Sequence, residues 1–128
     1  MFKRDLELER NWQNLLKRLE NIIGKKPADL NAILFLIGVQ ELGKGSRHFT
    51  KEEKLDLMHI ATCKILSLAG YYRLEGLDQD GWPHWKATKK LPRFSLNEQE
   101  RLLKMHIIEY FEQEYQWSFE SDRPATDT

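Results

Sequence analysis

A single cysteine and a formal net charge of zero are what this sequence has little of, and each excludes a class of protein. With Cys63 alone, no disulfide can close within the chain, and a zinc site built on cysteines has too few ligands. Lys and Arg together number 20, as do Asp and Glu, so overall charge draws the chain neither to nucleic acid nor to a membrane. The longest apolar run, Ala32–Val39, is too short to span a bilayer. The opening residues, Met1–Arg10, are charged throughout and make no secretory core. What is present is 128 residues, 41% hydrophobic and 31% charged, the balance of one globular domain with its own core. The expectation is a soluble, cytoplasmic chain.

Hydrophobic spacing predicts four helices. In the first, about 5–23, Leu8, Trp12, Leu15, Leu16, Leu19, Ile22 and Ile23 recur at three- and four-residue steps, and Gly24 suits the left-handed residue after its end. The second, about 28–42, begins either with Pro27 in its first turn or with Asp29 as cap. Leu30, Ile33, Leu34 and Ile37 fall on one side of it, Phe35, Val39 and Leu42 on another, and Leu36 on a third. A helix apolar all round is buried by several neighbours, so this one is expected to be central. Gly38 within it costs about 1 kcal/mol relative to Ala, for which close approach of another backbone is a sufficient reason.

Gly43–Ser46 ends that helix, and Thr50 with Glu53 forms a capping box that opens the third, which runs to Ala69 before Gly70. Its apolar arc holds Leu55, Leu57, Met58, Ala61, Thr62, Ile65, Leu66, Leu68 and Ala69; Glu52, Asp56, Cys63 and Ser67 form the polar face, with His59 at the border. Ser95 and Glu98 make a second capping box for the fourth helix, with Leu96, Leu103, Ile107, Tyr110 and Phe111 on its core side, ending near Gln116. Between these helices Tyr71–Glu75 and Trp82–Thr88 suit strands, and the residues joining them are turn-rich. The predicted fold is mainly α: a four-helix bundle around the helix at 28–42, with a β-hairpin crossover at 71–88. One domain covers 1–117, and 118–128 reads as a frayed tail.

Two motifs fail on context. Gly38–Gly45 approximates a phosphate-binding loop, but Gly45 lacks the metal-holding hydroxyl. The glycines also follow a helix C-terminus, where carbonyls rather than N–H groups face outward. Asp78–Gly81 resembles the middle of a calcium loop, yet Gly76 and Ala87 stand where carboxylates are needed.

The richest chemistry lies on the hairpin. Trp82, His84, Trp85 and Lys86, with Tyr72 opposite and Lys89, Lys90 and Arg93 following, put aromatic and basic groups together. Strand alternation places Trp82 with His84 and Pro83 with Trp85, so that one tryptophan plugs the bundle while the other faces outward. The competing structural reading is that both tryptophans cap the core and the lysines are simply solvated. Glu41, on a buried face, needs a donor, a cation or a metal. With His59 and His106 it outlines an alternative, a metal-dependent helical-bundle enzyme. The favoured expectation is non-catalytic binding or assembly through 82–93, with a protein partner or a second copy, no cofactor and no membrane; nucleic-acid binding by the basic hairpin end is the weaker alternative.

Overall fold

The computed structural model describes residues 2–45 and 47–119, with side chains from residue 5 onward. Six elements follow in order: α1 (Phe2–Ile23), α2 (Leu30–Leu42), α3 (Lys51–Ser67), β1 (Tyr72–Leu77), β2 (Pro83–Ala87) and α4 (Leu96–Tyr115). The fold is mainly α, four helices with an antiparallel hairpin between α3 and α4. Among the described residues no helix is long and apolar enough to cross a membrane.

Local chemistry sets the ends of the helices. Asp29, not Pro27, starts α2: its carboxylate accepts from the Ala32 N–H at 2.9 Å, satisfying a donor that the first turn leaves open. Both capping boxes are complete, Thr50 with Glu53 and Ser95 with Glu98. Gly43 closes α2 at φ 72°, its N–H on the Val39 carbonyl.

Trp12, Leu15 and Leu19 of α1, Ile33, Leu34 and Ile37 of α2, Ala61, Ile65 and Leu66 of α3, and Ile107, Tyr110 and Phe111 of α4 form the main core. Complete burial of a side chain such as Ile33 contributes about 1.5–3 kcal/mol. Phe35, Leu36 and Val39 are half-buried, while Asn31 and Gln40 face outward. A second, smaller cluster of Leu42, Phe49, Leu57 and Ile60 takes Phe35, Val39 and Trp82 against it. Gly38 is the point of closest approach. A Cβ built there would overlap the Leu57 carbonyl and lie 2.9 Å from the Leu57 Cβ, so α2 and α3 meet backbone to backbone.

Several positions depart from the single-stripe expectation. Cys63 is fully buried, Ile60 is buried, and Leu55 is 55% exposed. The reason is that α3 has neighbours on three sides, α2, α4 and the hairpin, so its second half has no solvent face. Ile22 is 63% exposed because α1 runs past the core at its end, and Leu96 is 82% exposed in the first turn of α4, before that helix reaches the core. Phe119 is buried and its carbonyl accepts from the Asn14 amide at 3.1 Å, so packed chain continues past 117. Residues 120–128 of the expected tail lie outside the described residues, as does Ser46.

The hairpin runs from Tyr72 opposite Ala87 to Leu77 opposite Pro83, with a bulge between Leu74 and Gly76. The extra residue, Glu75, falls at the bulge, and Gly76 takes φ 147°, a conformation open mainly to glycine. Thr88 ties the hairpin's base to the end of α3, its N–H on the Tyr71 carbonyl and its hydroxyl on that of Gly70.

Candidate functional site

The hairpin turn is built around one side chain. Asp78 Oδ1 accepts from the backbone N–H groups of Asp80 at 2.9 Å and Trp82 at 3.0 Å. Its Oδ2 lies 2.9 Å from His84 Nε2. These bonds hold the Asp78 carboxyl below its ordinary range, the His84 bond first and the Trp82 N–H next. Lys44, from the end of α2, donates to the Asp80 carbonyl and pins the turn to the helical body.

So fixed, the hairpin stands beside the first half of α3, and a cleft of about 440 Å³ lies between them. Glu53, Asp56, His59 and Ile60 line one wall; Asp78, Asp80, Trp82, Pro83, His84 and Trp85 line the other. Trp82 has one foot in the second core cluster, where it plugs the gap beneath the turn. Trp85 is half-buried, and its indole Nε1 is buried without an acceptor. Native structures seldom leave a buried donor unmatched, since doing so costs about 1–3 kcal/mol.

The charge of this cleft differs from the sequence expectation. Four carboxylates enter it, from Glu53, Asp56, Asp78 and Asp80. Glu53 is held by the Thr50 N–H and by Arg47 at 3.2 Å, which lower its carboxyl in that order. Asp56 and Asp80 receive no side-chain hydrogen bond or ion pair from any described residue. Trp82, His84 and Trp85 line the cleft together, although strand alternation assigns Trp85 to the opposite face, whereas Tyr72, Lys86, Lys89, Lys90 and Arg93 do not line it. Tyr72 packs toward the main core instead, and Lys89 lies over the Tyr71 ring at 4.5 Å. The acids were the signal missed: Glu53, Asp56 and His59 recur every three residues on α3, a readable stripe whose meaning depends on what docks beside it.

Glu41, His59 and His106 are not gathered. Tyr110 donates to Glu41 Oε2 at 2.7 Å, across 69 positions of sequence. His59 Nε2 lies 3.5 Å from Cys63 Sγ, and His106 Nδ1 lies 2.5 Å from Glu109 Oε1. Among the described residues no group of three or more His, Cys, Asp or Glu side chains is placed to hold a metal ion. Burial pushes the Cys63 thiol up to about 11, which removes it from nucleophilic chemistry at neutral pH.

A second cleft, about 280 Å³ and mostly apolar, lies between the ends of α1 and α4 and the flank of α2. Ile22, Leu36, Tyr115 and Trp117 line it, with Phe111 stacked on Trp117 at 5.2 Å.

Comparison with family models, with curated proteins and with solved structures finds no match to this chain. The mainly α body with a hairpin-built cleft therefore carries the functional reading alone.

Proposed function

We propose that this chain is a small non-catalytic binding protein whose contact surface is the cleft between the hairpin and α3. The observation that carries the reading is an open cleft lined by two half-buried tryptophans, Trp82 and Trp85, on a turn that Asp78 and Lys44 hold in place. Half-buried aromatic rings held by a rigid turn are the kind of anchor that dominates binding energy at protein interfaces. The buried free thiol of Cys63 suits a reducing compartment, which favours a cytoplasmic setting.

The nucleic-acid alternative has less support. A phosphate backbone laid on Trp82 and Trp85 would meet four carboxylates, whereas the basic run does not line the cleft.

Peptides selected against the full chain from an unbiased displayed library test the reading. Titrated into isotope-labelled protein, they should shift the Trp82, His84 and Trp85 resonances. Trp85→Ala, which removes the ring, should weaken them about tenfold, the cost of losing an aromatic anchor. Selected peptides that map to other surfaces, or that bind Trp85→Ala equally well, would refute it.

A further inference from the structure

Asp80 is the only aspartate in the sequence that a glycine follows, and no asparagine precedes one. The pairing has its own chemistry. A glycine has no side chain to shield its nitrogen, which can therefore reach the carboxyl carbon of the residue before it. The Gly81 nitrogen bonds to Asp80 Cγ, its proton and a carboxyl hydroxyl leave together as water, and a five-membered imide closes. Water then reopens the ring. Attack at Cγ restores aspartate; attack at the former backbone carbonyl leaves isoaspartate, with the chain running through Cβ and Cγ. No oxidant or cofactor is consumed, and the mass is unchanged.

The fold exposes this step and also restrains it. Asp80 is exposed near the tip of the hairpin, where its carboxylate receives no side-chain hydrogen bond or ion pair from any described residue. The backbone around it is held. Its N–H donates to Asp78 Oδ1 at 2.9 Å, and the Gly81 N–H donates to the Asp78 carbonyl at 3.0 Å. Lys44 donates to the Asp80 carbonyl. Ring closure needs the Gly81 nitrogen to give up its proton and the Asp80–Gly81 peptide to turn toward Cγ, and both motions break these bonds. The reaction therefore proceeds from opened turns, and each bond removed enlarges their population.

We infer that Asp80 is the site at which this chain converts to isoaspartate, and that Asp78 and Lys44 govern the rate by holding the turn shut. The product carries one extra backbone carbon between the Asp80 and Trp82 N–H groups, both of which Asp78 Oδ1 holds. Conversion therefore dismantles the turn that seats Trp82 on the second core cluster.

The full chain, folded in buffer or unfolded in urea, is incubated at neutral pH. Isoaspartate is counted by enzymatic methylation and located by electron-transfer mass spectrometry. It should collect at Asp80 before any other position, and faster in the unfolded chain. In the folded state Lys44→Met should raise the rate about fivefold, the opening weight of one net hydrogen bond. Asp78→Ala, which frees the N–H groups of Asp80 and Trp82 together, should raise it further, and Asp80→Glu should abolish it. Lys44 is exposed, so Lys44→Met keeps the comparison sound even where Asp78→Ala loosens the whole hairpin. Isoaspartate that forms first elsewhere, or in neither state, would overturn the site. Equal rates in the folded and unfolded chain, or a folded rate unmoved by Lys44→Met and Asp78→Ala, would overturn the lock.

Discussion

Replacing Gly38 by Ala sets two effects of opposite sign against each other. Helix propensity favours Ala by about 1 kcal/mol, since glycine in a helix interior sacrifices more chain entropy. Packing opposes it. The added Cβ would fall inside the Leu57 carbonyl and 2.9 Å from the Leu57 Cβ. A carbonyl in the middle of α3 cannot rotate aside as a long side chain could, so the two helices must separate. Separation loosens the contacts of Ile33, Leu34 and Ile37 with Ala61 and Ile65, all in one buried cluster. Overpacking of this kind costs about 1–3 kcal/mol, and the upper end applies where the obstacle is backbone. The net loss is then about 2 kcal/mol. At roughly 3–6 °C per kcal/mol for a chain of this size, the thermal midpoint should fall by about 6–12 °C. Thermal unfolding followed by circular dichroism reads this directly. Gln40→Ala, exposed on the same helix, serves as the control and should stay within about 0.5 kcal/mol of the parent. A Gly38→Ala midpoint equal to or above the parent's would refute the backbone-contact account.

The Tyr110 phenol offers a pH test. Burial, then the hydrogen bond to Glu41, raises it above the ordinary 10.0, so the folded chain holds that proton more tightly than the unfolded one. Its stabilising contribution is complete below the unfolded value and is lost as pH rises toward the folded one. The denaturant midpoint should therefore hold to about pH 10 and then fall. Tyr110→Phe should lower the unfolding free energy by about 1 kcal/mol at neutral pH and flatten the alkaline decline; an identical decline in both proteins would count against the assignment. Cys63, fully buried with its thiol raised to about 11, should resist a thiol-specific disulfide reagent in the native state and react fully once unfolded. Rapid native labelling would show that α3 is open where it is described as closed.

What could be read in advance was the chemistry that acts over a few residues. Thr50 with Glu53 and Ser95 with Glu98 are capping boxes in any context, and Gly24 can end a helix whatever surrounds it. Gly38 was legible as a close approach, though not what approached it. The failures come from counting one neighbour per helix. Cys63 looks polar-facing only if the hairpin and α4 do not cover α3, and Ile22 looks buried only if the core extends to the end of α1. The cleft was half visible. Trp82, His84 and Trp85 stood out as unusual, but the sign of their surroundings is decided by Asp56 and Glu53, which docking alone brings near. Glu41 needed a donor on general grounds; nothing local names Tyr110 as that donor.

The missing side chain at Gly38 has a mechanical consequence. With no compressible layer between them at that crossing, α2 and α3 behave as one stiff beam, and α3 carries the base of the hairpin at one end and the acidic wall at the other. Lys44, just past α2, fastens the tip of the hairpin to that same unit, and Thr88 fastens its base, so both sides of the opening are tied to one frame. A visitor to this protein would meet two jaws mounted on one frame.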